Sequence, residues 1–176
     1  MEKIIEIPEG VSVEVKGSEV IAKANGKEAK RKFDLKGMKL IKENNQIKIV
    51  AEKSTKRELT QAGTIAAHIR NMANGVKTDF IYKLEICNVH FPMTVKVDGS
   101  HLRIKTFLGE VTDRVAEILP NVNVDVKGNI ITVSSFDKEA AGQTTANIEK
   151  ATIVEKRDRR VFQDGIFLTE RNGVKL

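Results

Sequence analysis

Three histidines and one cysteine are the side chains of this sequence best suited to catalysis or metal binding. Histidine exchanges a proton near neutral pH, and both residue types bind transition metals. Their spacing does not form a site, since no HxxxH, HExxH or CxxC pattern links them. Cys87 also lies in the apolar stretch YKLEICNVHF, where a small buried thiol is common. We expect structural or surface roles for all four, which are His68, Cys87, His90 and His101.

No segment of the sequence resembles a phosphate-binding loop. The glycines of DLKGMK and VKGNII are single and indicate turns, unlike the glycine-rich fingerprints of nucleotide-binding enzymes. The carboxylates Asp137 and Glu139 open a predicted helix, where negative charge is favourable. The sequence therefore predicts no catalytic residue, no metal, no cofactor and no small-molecule substrate.

The segment VEKRDRRVFQDGIF, residues 154–167, combines strong basicity with signs of order. Four cations within five residues are followed by an aromatic and an amide side chain: Lys156, Arg157, Arg159, Arg160, Phe162 and Gln163. The planar guanidinium of arginine suits phosphates and base stacking, and Phe or Gln can stack on or bond to an exposed base. Gly165 and the apolar pair Ile166-Phe167 indicate that the segment folds back and is anchored. The pattern favours binding of a polyanion.

Three other interpretations stay open on these residues alone. Clusters of charge often serve only solubility. The apolar residues near Phe162 could instead dock a protein partner. An enzyme with unrecognised chemistry is also possible, with a pocket lined by His90 and His101.

A second basic stretch is KEAKRKFDLKGMK. Its cations are Lys27, Lys30, Arg31, Lys32, Lys36 and Lys39. On an extended strand, Lys30 and Lys32 lie on one side and Arg31 on the other. The stretch could face phosphates, or it could be an edge strand that lysines protect from aggregation. The sequence does not decide between these two.

Two helical stretches would position the strands around them. The first has an N-cap at Ser54 or Thr55, with Glu58 completing a capping box, and a stop at Asn74-Gly75. Its apolar stripe recurs at steps of three and four along Leu59, Ala62, Ala66, Ile69 and Ala73, flanked by Ile65 and Met72. The second begins at Asp137 and has a thinner stripe of Ala141, Thr144, Ile148 and Ala151.

The chain contains the same pattern twice. VSVEVKGSEVIAKA resembles MTVKVDGSHLRIKT, and both read as hairpins with a Gly-Ser turn. Later, NNQIKIVAE resembles GNIITVSSF, and each is followed by one of the helices, which share A-G-x-x-x-A-x-I. We predict an α+β fold of two tandem copies of a small domain, residues 1–80 and 81–176, each an antiparallel sheet covered by one helix.

Composition agrees with a polyanionic partner. The 176 residues carry 30 Lys and Arg against 24 Asp and Glu, a formal net charge of +6, which favours nucleic acid over a membrane surface. No apolar run approaches the roughly 20 residues of a membrane helix, and the N-terminus has no signal-peptide core. We expect a cytoplasmic protein without a membrane partner.

The segment DKEAAGQTTANIEKAT followed by KRDRRVFQDGIF resembles the C-terminal signature of the large-subunit ribosomal protein six family, in its archaeal and eukaryotic branch. The resemblance extends to the opening IIEIPEGVSVEV, the KGMKLI turn and the stretch YKLEICNVHFPMTVKV. It implies two copies of a similar α+β fold and a structural constituent of the large ribosomal subunit, without catalysis or cofactor.

The same resemblance implies partners and site residues. Members of the family bind large-subunit ribosomal RNA mainly through the C-terminal domain, near the sarcin–ricin loop and the stalk base, where translational GTPases dock beside neighbouring ribosomal proteins. Carried to this chain, the RNA-contacting candidates are Lys156, Arg157, Arg159, Arg160, Phe162, Gln163 and Gly165. Weaker candidates on the second helix are Gln143, Thr144 and Asn147.

Overall fold

A computed structural model describes residues 2–35, 37–44, 46–51 and 55–176. The chain forms two compact units, Met1–Asp79 and Phe80–Leu176. Neither of the two α-helices in the described ranges is long and apolar enough to cross a membrane.

The first unit contains six strands and one helix. In chain order these are β1 (Glu2–Glu6), β2 (Ser12–Lys16), β3 (Glu19–Ala24), β4 (Lys27–Lys32), β5 (Met38–Glu43), β6 (Gln46–Ala51) and α1 (Lys56–Lys77). The strands form two antiparallel sheets with the orders β1-β6-β5 and β2-β3-β4. Helix α1 packs against strands of both sheets.

The second unit repeats this arrangement and extends it. Its elements are β7 (Phe80–Cys87), β8 (Thr94–Asp98), β9 (His101–Lys105), a 3₁₀ turn (Phe107–Gly109), β10 (Arg114–Glu117), β11 (Asn123–Lys127), β12 (Ile130–Ser135), α2 (Lys138–Ala151), β13 (Gly165–Arg171) and β14 (Val174–Lys175). One sheet has the order β10-β9-β8, and the other has the order β11-β12-β7-β13-β14.

The duplication predicted from the sequence is visible in the order of the strands. The sheet β1-β6-β5 of the first unit corresponds to β7-β12-β11 of the second, and β2-β3-β4 corresponds to β8-β9-β10. The prediction of tandem α+β repeats with antiparallel strands and one covering helix is confirmed. The strands of each repeat divide between two sheets, however, where we expected one. The second unit also adds β13 and β14 beside β7.

Period-two alternation places the core residues of the strands. In β6, the apolar residues Ile47, Ile49 and Ala51 are buried, because successive side chains of a strand point to opposite faces. The predicted hairpins are present, with Val13 opposite Ala22 in the first and Val97 opposite Leu102 in the second.

Helix α1 begins as the sequence predicts. Thr55 is its N-cap, and its side chain forms a reciprocal capping box with Glu58. Ser54, the alternative N-cap, lies outside the described residues. The predicted stop at Asn74-Gly75 is wrong, since the helix runs to Lys77 and ends where the Thr78 N–H donates to the Asn74 carbonyl.

Packing explains the longer helix. Gly75 and Val76 are both buried within α1, so tertiary contacts keep a residue helical that would end a helix by itself. Most of the predicted apolar stripe is buried. Leu59 is the exception, because 48% of its surface is exposed in the first turn of the helix.

Helix α2 closes the core of the second unit. The Asp137 side chain accepts from the Glu139 N–H, as expected of an N-cap. Its buried residues are Ala141, Thr144, Thr145 and Ile148. The helix packs against β7, β10, β12 and β13, so its C-terminal end lies beside the start of β13. The basic segment of the sequence joins these two elements.

Candidate nucleic-acid interface

The basic loop, residues 153–164, connects α2 to β13. The four predicted cations of this loop are all exposed: Lys156, Arg157, Arg159 and Arg160. The loop is not a free tail, since its last residue, Asp164, is only 2% exposed and Ile166 just beyond it is 1% exposed. The expected anchoring of the segment is confirmed.

The C-terminal end of α2 holds the start of β13 through side chains. The buried Thr152 hydroxyl donates to the Glu149 carbonyl at 3.1 Å and accepts from the Ile166 N–H at 3.0 Å. The Glu149 carboxylate accepts from the Leu168 N–H at 2.8 Å, where the pairing of β13 with β7 shifts register. Side chains of the helix thus satisfy backbone donors of β13 that a neighbouring strand would otherwise bind.

Arg114 of β10 fastens the same end of the helix from another side. Its guanidinium binds the Glu110 carboxylate through two nitrogens at 2.7 and 2.8 Å. It also donates to the carbonyls of Ala151 and Ile153 at 3.0 and 2.9 Å. Terminal helix carbonyls need such a donor. Arg114 is not among the residues predicted from the sequence, because nothing local connects it to a helix end 37 residues later.

The same Arg114 guanidinium lies over the Phe107 ring, 4.2 Å from its centroid. Hydrogen bonding to Arg114 holds the pKa of the Glu110 carboxyl below its usual range, against the opposing effect of burial. The charges of Arg114 and of Arg157 in the basic loop lower it further. This ion pair therefore links β10, the 3₁₀ turn and the start of the loop.

Asp164 anchors the other end of the basic loop. Its carboxylate accepts from the backbone N–H groups of Val89 and His90 at 2.7 and 2.9 Å, and its second oxygen lies 2.6 Å from the His90 ring nitrogen Nδ1. Burial by itself would raise the pKa of the Asp164 carboxyl, but these hydrogen bonds outweigh it, so the pKa is lowered.

Phe162 is part of this anchor. Its ring stacks on His90 with 4.8 Å between centroids, and the Arg157 guanidinium lies 4.7 Å from its centroid. The ring is half-buried. The sequence predicts Phe162 as a stacking partner for a base, whereas in the structure His90 and Arg157 already contact its ring.

Asp158 organises the tip of the loop. Its carboxylate accepts from the backbone N–H and the guanidinium of Arg160, with a shortest side-chain distance of 3.0 Å. Hydrogen bonds from Arg160 lower the pKa of the Asp158 carboxyl. The Gln163 side-chain amide donates to the Arg160 carbonyl at 3.1 Å. Within the described part of the chain, Lys156 and Arg159 have no ion-pair partner, so their charges point outward uncompensated.

The remaining candidates divide between surface and support. Thr144 is fully buried and its hydroxyl accepts from the Leu119 N–H, so it holds α2 to the core and does not face a partner. Gly165 is buried too, and a Cβ there would lie 2.9 Å from the Phe167 ring. Gln143 is exposed and donates to Asn147, whose amide donates to the Glu117 carbonyl. Thr144 and Gly165 therefore have structural roles in the fold.

Histidine and cysteine residues have local structural surroundings, in line with the sequence analysis. His68 contacts the Phe33 ring, His90 binds Asp164, and His101 lies 3.0 Å from the Ser100 hydroxyl. Burial, together with the charges of Glu85 and Asp164, raises the pKa of the Cys87 thiol. A raised pKa keeps the thiol protonated and unreactive.

Four cations of the second basic stretch, Lys27, Lys30, Arg31 and Lys32, lie on β4, an edge strand of its sheet, and Lys39 lies on β5. Lys27 pairs with Asp79 at 2.6 Å and Lys30 with Glu19 at 3.3 Å. Lys36 lies outside the described residues. Two lysines of β4 thus have carboxylate partners, and both interpretations of the stretch, edge protection and a phosphate-facing surface, stay predictions.

An exposed cluster of Lys and Arg on one loop is typical of nucleic-acid-binding proteins. Two segments, residues 7–79 and 91–165, match the family model of Ribosomal protein L6. The chain is 44% identical over 169 residues to the large ribosomal subunit protein uL6 of Methanococcus vannielii, covering 96% of this chain and 93% of that protein. It is 43% identical over 175 residues to uL6 of Methanosphaera stadtmanae, covering 99% and 95%.

The chain belongs to the Ribosomal protein L6 family. The family resemblance drawn from the C-terminal pattern is thereby confirmed, and it extends over nearly the whole chain. The protein is a structural component of the translation machinery and not an enzyme.

Proposed function

We propose that this ribosomal protein of the large subunit binds large-subunit ribosomal RNA through the basic loop of its C-terminal domain, residues 81–176. The observation that carries the proposal is a set of four exposed cations on a loop that is anchored at both ends. A loop held in place loses little conformational entropy on binding. Its cations neutralise phosphates, and the shape of the folded RNA, more than base identity, is recognised.

The cations of the loop have different roles in this proposal. Lys156 and Arg159 bind phosphates directly, because no carboxylate of the described chain neutralises them. Arg160 presents its guanidinium to the RNA while paired with Asp158, since its side chain is 90% exposed. Arg157 shares its charge between the RNA and the Phe162 ring. Gln163, Gln143 and Asn147 are secondary polar contacts beside them.

The family resemblance supports a location for the interface. We place it near the sarcin–ricin loop and the stalk base of the large subunit, close to where translational GTPases bind, with other large-subunit proteins as neighbours. The protein acts in the cytoplasm as part of the assembled subunit. Crosslinking of assembled subunits should therefore join the basic loop to RNA of this region, and crosslinks only to distant RNA would contradict the location.

A charge-matched pair of double variants tests the interface. Lys156→Ala with Arg159→Ala should weaken binding to large-subunit ribosomal RNA about tenfold or more, because two charged contacts are lost. The control is Lys96→Ala with Arg103→Ala, which removes the same charge from exposed positions on β8 and β9. Filter binding at one salt concentration measures both. Equal weakening by the two variants would mean that net charge, and not the basic loop, drives binding.

Crosslinking mapped to peptides tests the site independently of mutation. Ultraviolet crosslinks between the protein and the RNA should concentrate on residues 150–165. A map that leaves this segment empty and marks the first unit would overturn the assignment.

A further inference from the structure

A groove of about 800 Å³ opens beside the basic loop. It lies between the C-terminal end of α2, the start of β13 and the loop itself. Three apolar side chains that line it are substantially exposed to water: Val89 at 68%, Ile153 at 44% and Phe167 at 40%. Exposed apolar side chains gathered in one concave site mark a binding surface more often than scattered ones do.

Cations and an amide surround these apolar walls. Lys150, Arg159, Arg160 and Gln163 line the same groove, and all four are exposed. The two carboxylates of the lining are engaged by the protein. Asp164 accepts three hydrogen bonds, and Glu149 accepts from the Leu168 N–H. The outer part of the groove is therefore positive, while its walls are apolar.

We propose that this groove receives one unstacked nucleobase of the bound RNA, whose flanking phosphates lie on Arg159, Arg160 and Lys150. This inference rests on the proposed function. A nucleotide carries a flat apolar ring next to a negative charge, and the groove offers the complement of both. An apolar side chain of a protein partner would fill the walls but leave Lys150 and Arg159 unpaired, so the charge favours RNA.

The groove is built before the RNA arrives. Thr152 fixes the start of β13 to the end of α2, Asp164 fixes the loop to the residues after β7, and Arg114 fixes the Ile153 backbone. A preformed site spends less of its binding energy on ordering. The base would enter between walls that other contacts already hold apart.

Filling the groove tests the proposal without changing charge. Ala146 of α2 lines the groove and is only partly buried, so Ala146→Phe should occupy the space meant for the base. Ala140→Phe is the matched control, at a partly buried position of the same helix that is not part of the groove lining. We expect Ala146→Phe to weaken binding of the full-length protein to large-subunit ribosomal RNA about fivefold or more, and Ala140→Phe to leave it unchanged.

A second variant guards against misfolding of the first. Ile153→Ser removes an exposed apolar wall and should also weaken binding about fivefold. For both groove variants the slope of log affinity against log salt should equal that of the wild type, because no phosphate contact is removed. In contrast, the Lys156→Ala, Arg159→Ala double variant should reduce that slope.

The outcomes separate this inference from the proposed function. If the double variant loses affinity and both groove variants bind like wild type, the base-binding groove is wrong and the basic interface stands. If the double variant also binds like wild type, the interface itself is wrong. If the groove variants keep RNA affinity but lose a protein that remains bound to the subunit after ribonuclease treatment, the groove docks protein and the inference is overturned.

Discussion

Arg114 and Asp164 hold the two ends of the basic loop, and neither was among the candidate site residues predicted from the sequence. Both charged side chains bind groups of the protein itself. Arg114 donates to carbonyls at the end of α2, and Asp164 accepts from backbone N–H groups. The cations that we propose to bind RNA are exposed on the surface. Some charged side chains therefore hold the loop in place, and others are free to bind a partner.

Arg114→Gln should lower the free energy of unfolding by about 2 kcal/mol, because a partly buried network loses its charged donor to two helix-terminal carbonyls. Arg103→Gln is the control, since Arg103 pairs with Asp98 on the surface at 2.7 Å, and an exposed pair contributes less than about 1 kcal/mol. Urea unfolding measures both. Equal losses of unfolding free energy in the two variants would mean that the contacts of Arg114 with the end of α2 add no stability beyond that of a surface ion pair.

Asp164→Asn should be destabilising at neutral pH, by about 2 kcal/mol, because the Val89 and His90 N–H groups lose an ionised acceptor. The pKa of Asp164 is lower in the folded protein than its ordinary value of 3.8. Its contribution is therefore fully present above pH 3.8 and is lost as pH falls through the folded-state pKa. Unfolding measured from pH 7 to pH 3 should show the difference between variant and wild type shrinking at the acidic end. A difference that grows instead would contradict the assignment.

Residue types and local order predicted the cations but not their partners. The sequence shows that Phe162 follows four cations. The sequence does not show that His90, 72 positions earlier, stacks on the Phe162 ring. The burial of Thr144, whose hydroxyl accepts from the Leu119 N–H, was likewise not visible in the local sequence.

Among the elements, α1 and α2 show where local signals suffice and where packing overrides them. The N-caps Thr55 and Asp137 depend on neighbours within three residues, so the sequence predicted Asp137 and narrowed the other cap to Ser54 or Thr55. The C-terminal end of α1 depends on whether Gly75 and Val76 find a buried surface, and they do. The α2 end is also set by distant groups, through Arg114.

Thr55→Ala should destabilise the protein by about 1 kcal/mol, because the N-cap hydroxyl accepts from the Glu58 N–H. The same substitution five residues later, Thr60→Ala, should be neutral or slightly stabilising. Thr60 is exposed within the helix, and alanine has the higher helix propensity. Thermal unfolding of the pair measures the difference. A lower melting temperature for Thr55→Ala together with an equal or higher one for Thr60→Ala would support the N-cap. Equal decreases in both variants would exclude it.

At the scale of the whole molecule, the two units share one strand order, and only the second unit adds β13, β14 and the basic loop. Duplication provided the scaffold, and the addition beside β7 gives the second unit the surface that we propose for RNA. A net charge of +6 favours association with a polyanion but does not indicate which surface binds it.

Binding of the whole protein to large-subunit ribosomal RNA should depend steeply on salt. If about four cations of the basic loop reach phosphates, log affinity should fall with log salt at a slope of about −3 to −4. The Lys156→Ala, Arg159→Ala variant should have a slope shallower by about 1.4 to 1.8, because two phosphate contacts are removed. Titrations at several salt concentrations measure both slopes, and a wild-type affinity indifferent to salt would refute phosphate neutralisation.

The sequence by itself determined the α+β class, the internal repeat, the N-cap of α2, the basic loop and the family. These features depend on local periodicity, on turn residues and on a long C-terminal pattern, all of which can be read without knowing what lies across the core. The tertiary structure alone decided that each repeat has two sheets, that α1 continues past Gly75, and that Arg114 and Asp164 hold the loop. Contacts between residues far apart in the chain follow from packing, and no local pattern encodes them.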